Sequence, residues 1–256
     1  MQLRPQPFKG VYRRLIDLQR WDDHTVVGWL EDDFHHFGIT LVHNGTVVTD
    51  VRIAEPRHPW TACPSAIQPL MALKGVPLFG RCSEIGTHLD MNMQCTHLGD
   101  LAALLMAHAY HQRTRHRYHA QVARLDDVES AAPAHWLRGS LQRDDLPVLQ
   151  WDVDGPKIIR PEPAAEHSIQ KGFREWTETL GEMEAEHAWV LRRAVFVSLG
   201  YLVVLDQPYL ADEMPLGAVC HNYQPEQRTT SRYLPDSRHK FDQGPQNMLA
   251  WAHTRP

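Results

Sequence analysis

Phe37-Gly38-Ile39-Thr40-Leu41-Val42, then His43-Asn44-Gly45, then Thr46-Val47-Val48-Thr49-Asp50-Val51-Arg52-Ile53 is the stretch whose reading decides the fold. Two alternating segments around an Asn-Gly signal read as an antiparallel hairpin, because a side-chain period of two gives each strand one apolar face. A two-residue loop at Asn44-Gly45 sets Ile39 opposite Asp50 and Phe37 opposite Arg52. A three-residue loop with Gly45 left-handed pairs Leu41 with Val47, Ile39 with Thr49 and Phe37 with Val51. The second register is preferred because it collects apolar side chains on one face. Alternation then puts His35 on that face and His36 on the other.

Outward from the hairpin, residues 11 to 54 read as strands throughout. An irregular stretch from Glu55 to Ala62 leads into a short helix, with Pro64 in its first turn, Ile67, Leu70 and Met71 as its stripe and Gly75 at its end. Pro69 removes one helical hydrogen bond and predicts a kink or an early stop. A stronger helix is expected over Thr96 to Gln112, where Leu98, Leu101, Ala102, Leu105 and Ala109 recur at core spacing. Arg115 to Arg124 and His135 to Ile159 look strand-like, Pro161-Glu162-Pro163-Ala164-Ala165 is the linker candidate, and Ile169 to about Gly200 reads mainly as helix around Trp176, Leu180, Trp189 and Phe196. The segment from Gln207 is rich in Pro, Gly and Gln and is expected to wrap the surface. This order predicts an α+β fold, an antiparallel sheet with packed helices. Residues 1–125 form the core that carries the site, and 126–256 form a strand and helix extension around it, separate or continuous.

With 256 residues and 43% hydrophobic content, the chain is long enough to bury a substantial core. The net charge is -5, with 26 basic and 31 acidic residues well mixed, so no cationic surface is available to neutralise a phosphate backbone. Nucleic acid is therefore not an expected partner, and a small-molecule substrate is. The longest apolar run, Ala194 to Leu205, has 12 residues, well short of the roughly 20 that span a bilayer. A cytoplasmic location is expected, without membrane association, and the four scattered cysteines fit reduced thiols better than a disulfide framework. Oligomeric state is not set by these features.

Two of the cysteines open helical patterns, Cys63 before Pro64-Ser65-Ala66 and Cys95 before Thr96-His97-Leu98. A helix N-terminus favours the thiolate, the form that binds zinc or iron. His35, Cys63 and Cys95 are the expected ligands of one metal, with Cys220 as a fourth ligand or lid residue. The competing reading makes Cys63 and Cys95 small buried hydrophobes near helix caps. His97, two residues after Cys95, points about 200° away from it in a regular helix; it either reaches the metal from a loosened first turn or acts as the acid-base group. His108 lies about 16 Å further along the same helix, so His108 and His111 cannot share that metal, and an exposed or capping role is expected for both. In Arg57-His58-Pro59-Trp60, Arg57 and Trp60 offer a cation and an aromatic wall for a carboxylated or aromatic substrate, with Tyr223 beside them. His58 and Glu226 are further proton-transfer candidates. Cys82 has no helper residue, and Glu31-Asp32-Asp33 reads as a solvated turn in which Asp33 is placed to orient an imidazole. No glycine-rich phosphate loop, nucleophile elbow or H-E-x-x-H motif is present, which counts against kinases, dinucleotide enzymes, serine hydrolases and zincins.

Cys95-Thr96-His97-Leu98, the strand pair that ends near Cys63, and the late segment with Cys220, Tyr223, Pro225 and Glu226 together resemble an uncharacterised bacterial domain-of-unknown-function family. Its members are often found near aromatic-compound catabolism genes. The resemblance implies an aromatic substrate context and carries no established activity. The order strand, turn, strand, Cys63, helix, Gly75, with Cys95 opening the next helix, is more distantly similar to the NifU/SufU-type iron-sulfur scaffold, in which three cysteines and an aspartate gather around zinc or a nascent cluster. On that comparison Cys63 and Cys95 match two scaffold cysteines, the third falls near His35 or His36, and the aspartate falls near Phe37, which cannot coordinate. Exchanging a thiolate for imidazole and losing a carboxylate disfavours cluster assembly and favours a mononuclear site. The expected function is a metal-dependent hydrolase or lyase, with zinc as the metal and iron as the alternative, acting on a small carboxylated or aromatic compound. A non-enzymatic metal or sulfur-handling scaffold and an interaction domain with a structural zinc are the other readings.

Overall fold

Antiparallel pairing begins at Tyr12 and continues to Arg160. A computed structural model, describing residues 4–241 and 243–250, has strands β1 (Tyr12–Asp22), β2 (Thr25–Asp32), β3 (His36–His43), β4 (Val48–Arg57), β5 (Arg115–Arg124), β6 (Leu137–Arg143), β7 (Leu146–Asp154) and β8 (Lys157–Arg160). They form one sheet in the order β4-β3-β2-β1-β5-β6-β7-β8. Two meanders therefore meet at β1, where β5 pairs on the side not used by β2. The fold is α+β with an antiparallel sheet, as the alternating patterns predict. Sheet and main core both run across residue 125.

Between the meanders lie short turns α1 (Ile67–Leu70) and α2 (Ile85–His88) and the long helix α3 (Thr96–Tyr110); after the sheet come α4 (Phe173–Thr177) and α5 (Glu182–Ser198). The helix expected from Pro64 to Gly75 is broken into successive turns, Cys63–Ala66, Ile67–Leu70 and Met71–Leu73, with Pro69 inside the middle one. The single helix expected from Ile169 is likewise divided, because Gly181 starts a new one and donates its N–H to Glu184 Oε2 at 3.1 Å. Pro161 to Ala165 is a tight turn rather than a linker: Ala165 N bonds Pro161 O at 3.0 Å and Ala164 is buried in the main core.

Helices α3 and α5 lie on one face of the sheet, and each crosses it at a glycine. A Cβ added to Gly28 of β2 would stand 3.0 Å from Leu101 and 3.1 Å from Leu105 of α3; one added to Gly139 of β6 would stand 3.1 Å from both Leu191 and Val195 of α5. The opposite face over β1 and β2 is covered by the last described residues, with Phe241, Met248 and Leu249 packed on Leu15, Val27 and Trp29. Among the described residues no helix is long and apolar enough to cross a membrane.

The hairpin register differs from the preferred one. Leu41 pairs with Val51 and Ile39 with Ile53, so the connection is longer than three residues. Asn44 builds it: its Oδ1 accepts from the N–H groups of Thr46 and Val47 at 3.0 Å, Gly45 takes φ +95°, and Val47 leaves the hairpin to bridge Pro77. From Val51 to Ile53 the slip is an even number of residues, so these side chains keep their faces, whereas the irregularity between Val42 and His43 turns Val48 into the core in place of Val47. The His35 ring meets Phe37 at 5.6 Å on the helix face, and His36 meets Trp29 at 5.4 Å on the other.

Two outcomes follow from this packing. Gly28→Val drives two methyl groups into Leu101 and Leu105, and urea unfolding should show a loss of about 1–3 kcal/mol, the usual cost of overpacking; stability equal to wild type would show that α3 can lift off the sheet freely. Burial holds the imidazoles of His108, His119 and His187 down to about 4, with His116, Arg13 and Arg143 respectively as the next contributors. Their unfolded value is near 6.5, so the stability they contribute is complete above about pH 6.5 and is lost as pH falls through about 4. Thermal midpoints measured from pH 7.5 down to pH 4.5 should fall, and His108→Gln should flatten that slope.

Candidate functional site

The end of β2 and the start of α3 meet on the helix face. Arg14 of β1 lies directly opposite Asp32 in the sheet register, and both are almost wholly buried, at 1% and 0% exposure. Asp32 Oδ2 accepts from Arg14 Nη1 at 2.7 Å and from the Tyr12 hydroxyl at 2.9 Å. Asp32 Oδ1 accepts from the N–H groups of Phe34 and His35, both at 2.8 Å, and lies 2.9 Å from His35 Nδ1. One carboxylate thus folds the turn between β2 and β3 and holds the imidazole that follows. When His35 Nδ1 donates this bond, the lone pair is left on Nε2.

From the first turn of α3, His97 stacks on His35 with ring centroids 3.6 Å apart and planes 25° apart. Its Nε2 lies 4.0 Å from Asp32 Oδ2 and has no hydrogen-bond partner; its Nδ1 lies 3.5 Å from Thr96 Oγ1 and 4.0 Å from Cys95 Sγ. Asp32, His35 and His97 each present a ligand atom within 4.8 Å of the others. Burial pushes the His97 imidazole well down, with the His35 and Arg14 charges adding to it; burial lowers His35 against the pull of Asp32. Burial alone would raise the Asp32 carboxyl, but His35 and Arg14 outweigh it and hold it well below the usual range. The result is an ionised carboxylate beside two imidazoles in the neutral, ligand-competent form.

Glu31, Asp32 and Asp33 are all buried, at 6%, 0% and 0% exposure, so this is no solvated turn. Asp32 rather than Asp33 orients the imidazole. Asp33 instead accepts from the Tyr201 hydroxyl, and burial raises its carboxyl to about 7 against that bond. Arg57 clamps the same turn: Nη2 donates to Asp32 O at 2.7 Å, Glu31 Oε1 at 3.0 Å and His35 O at 3.3 Å, while Nη1 donates to Asp33 O and Ser237 O, both at 3.0 Å.

Cys63, Cys95 and Cys220 each stand at the start of a helical turn, and these turns are tied together. The His221 N–H donates to Gln94 O at 2.8 Å, His221 Nε2 lies 2.7 Å from Ser65 Oγ, and Cys220 packs against the aromatic cluster that holds Cys63, Trp60, Tyr223 and Tyr233. The helix starts do not yield thiolates. Burial raises the Cys63 thiol well above its usual value, with Cys95 and Cys220 adding to the cost, and raises Cys95 to about 12, with Cys220 adding to it. Desolvation therefore outweighs the helix dipole, and only a bound cation would ionise these sulfurs.

Of the remaining candidates, Trp60 and Tyr223 pack together beside Cys63, and His58 and Glu226 lie outside that cluster. Trp60 meets Tyr223 edge-on at 5.7 Å and Tyr233 at 5.4 Å. His58 Nδ1 is buried without a partner, and Glu226 is exposed on α6 (Pro225–Arg228). Cys82 is buried in the main core. His111 Nε2 lies 3.2 Å from Gly80 O, whereas His108 is fully buried, not exposed, because α3 is covered almost to its last turn. Reading the sequence missed Tyr12, Arg14 and Asp32; the available signal for Asp32 was its place three residues before His35, where an Asx side chain reaches the following backbone.

Residues 13–112 match the model of a protein family of unknown function, DUF2889. The matched segment runs from β1 through α3 and contains Asp32, His35, Cys63, Cys95 and His97, while Cys220 lies beyond it. No curated protein matches the chain.

Removing one partner of a buried ion pair leaves the other charge uncompensated, at a cost of about 3–5 kcal/mol. Asp32→Asn should lower the urea-unfolding free energy by about that amount. A loss below about 1 kcal/mol, the level of an exposed pair, would mean that Arg14 does not depend on Asp32.

Proposed function

We propose that this chain is a metal-dependent enzyme, with a zinc-class ion, acting as a hydrolase or lyase on a small carboxylated or aromatic compound. The observation that supports this reading is the buried Asp32, His35 and His97 group, with ligand atoms within 4.8 Å and His97 Nε2 lacking a hydrogen-bond partner. The donor set suits zinc or iron, since both accept imidazole and carboxylate. His35 and His97 would hold the ion. Asp32 would add an oxygen or keep His35 aligned through Nδ1, as carboxylates behind metal-bound histidines do. A bound ion supplies Lewis acidity and a water that ionises near neutrality. The chain's own contribution is to fix both rings by stacking and to exclude bulk water, since each imidazole side chain keeps only 10% exposure. Whichever ring nitrogen is not bound can move a proton.

A second reading, a metal or sulfur-handling scaffold, is favoured by Cys95 Sγ lying 4.0 Å from His97 Nδ1 and by the charges of Cys95 and Cys220 acting on Cys63. Elemental analysis of untagged protein separates the two. The enzyme reading expects about one equivalent of zinc or iron, lost in His35→Ala and His97→Ala, and turnover of a carboxylated aromatic or aryl phosphate that a chelator abolishes. Metal that survives both histidine changes and disappears only when Cys63 and Cys220 are replaced would overturn it in favour of the thiol site.

A further inference from the structure

One face of the sheet carries α3 and α5, and the other is covered over β1 and β2 by Phe241, Met248 and Leu249. Further along that second face, over β5, β6 and β7, lies a hollow of about 310 Å³, at the lower end of the range that takes small molecules. Tyr118 and Ala120 of β5 are buried in the main core, so alternation turns His119 and Gln121 to the opposite side. The register extends this polar belt across the sheet: His119 stands opposite Gln142 and Gln121 opposite Ser140 on β6, and Ser140 stands opposite Gln150 on β7. An irregularity between Leu141 and Gln142 places Pro147 opposite Gln142 and leaves Val148 as the extra residue. Such a bulge bends its strand, and Pro147 and Val148 supply the hollow with an apolar wall.

Among the described residues, no carboxylate, ammonium or guanidinium lines the hollow. Burial holds the His119 imidazole down to about 4, with Arg13 adding to the effect, so it too is uncharged at neutral pH. The charges that act on His119 from outside the lining, Arg13, Arg117 and Asp145, carry both signs, and the pair next along this face is closed on itself, Arg138 Nε donating to Asp152 Oδ1 at 2.7 Å. An ionic ligand would be desolvated there with no counter-charge in contact. The only ring in the lining is that imidazole, so an aryl group or a nucleobase would lack a stacking platform. What the lining offers is neutral hydrogen bonding, because each glutamine amide and the Ser140 hydroxyl can both donate and accept. The side chains of Gln121, Ser140 and Gln150 make no hydrogen bond to other described residues, and His119 Nε2 is buried without one.

We infer that this hollow is a binding site for a neutral, hydroxyl-rich small molecule of the monosaccharide class, its hydroxyls meeting the glutamine amides and Ser140 and one C–H face resting on Pro147 and Val148. The site lies across the sheet from Asp32, His35 and His97, so the inference depends neither on a metal nor on the proposed reaction. Saturation-transfer NMR and amide-shift titrations of the full chain with glucose, galactose and mannose should show saturable binding of at least one of these sugars, with the shifts concentrated in β5, β6 and β7. The matching uronate, the same ring bearing a carboxylate, should bind more weakly than its parent sugar. Gln121→Ala and Gln142→Ala should each lose roughly threefold to tenfold in affinity, the scale of one neutral hydrogen bond, while the thermal midpoint stays near wild type because both side chains are only half-buried. Binding should persist after a chelator has stripped any metal, which separates this site from the imidazoles. Absence of saturable binding for all of these sugars, a uronate held as tightly as its parent, wild-type affinity in both glutamine variants, or binding lost on chelation would overturn the inference. If a glutamine variant does not fold, the sugar and uronate comparison on the wild-type chain decides.

Discussion

The Asp32 carboxylate, held against Arg14 across two strands, is the constraint on which the site depends. Both groups are buried, and an unpaired charge in that position would cost several kcal/mol. The pairing therefore fixes the register of β1 against β2 at its far end and turns Asp32 toward the helix face. The remaining capacity of the same carboxylate shapes the Asp33-Phe34-His35 turn and orients one imidazole. With His35 held, His97 has a flat surface to stack on, and the first turn of α3 is positioned by contact rather than by a side-chain cap, which Cys95 does not supply.

The imidazoles and the thiols form two adjoining groups with opposite requirements. The histidines are kept neutral by burial and need no counter-charge to stay in the fold. The thiols are also neutral, yet they coordinate only when deprotonated, and their mutual proximity makes that harder without a cation. Cys95 Sγ, 4.0 Å from His97 Nδ1, is the point of contact between the groups. A cation held by the imidazoles would lower the cost of ionising the Cys95 thiol, whereas one held by the thiols would make the imidazoles harder to protonate.

What the sequence discloses of this arrangement is governed by periodicity. Strands β1 to β4 and the placement of His35 and His36 on opposite faces follow from side-chain alternation, which survives a register slip of an even number of residues, and helix α3 follows from its 3.6-residue period. The slip itself was hidden because it is set by Asn44 capping its own loop and by Val47 pairing with Pro77, a contact outside the hairpin. The helix-start positions of Cys63, Cys95 and Cys220 are legible, but the group whose ligand atoms come together is Asp32, His35 and His97. Asp32 was read as a surface acid because burial depends on Arg14, 18 residues earlier, arriving opposite it. Local composition does not encode such a long-range partner. Arg57 misleads for a related reason: its position beside Trp60 suggests an open cation, while its actual acceptors are the Glu31 carboxylate and four backbone carbonyls that no sequence pattern marks.

The Arg57 clamp also sets when the site can exist. A chain leaves the ribosome with its N-terminal half first, and the hairpins of β1 to β4 can pair as soon as they emerge. Ser237 O and His239 N, which brace Arg57 and Asp33 from the other side, follow the sheet and both long helices in the chain. The geometry around His35 is therefore completed late, after the sheet and both long helices are in place. A chain stopped before Ser237 would carry the sheet and both long helices without the brace on Arg57 and Asp33 that holds the turn before His35.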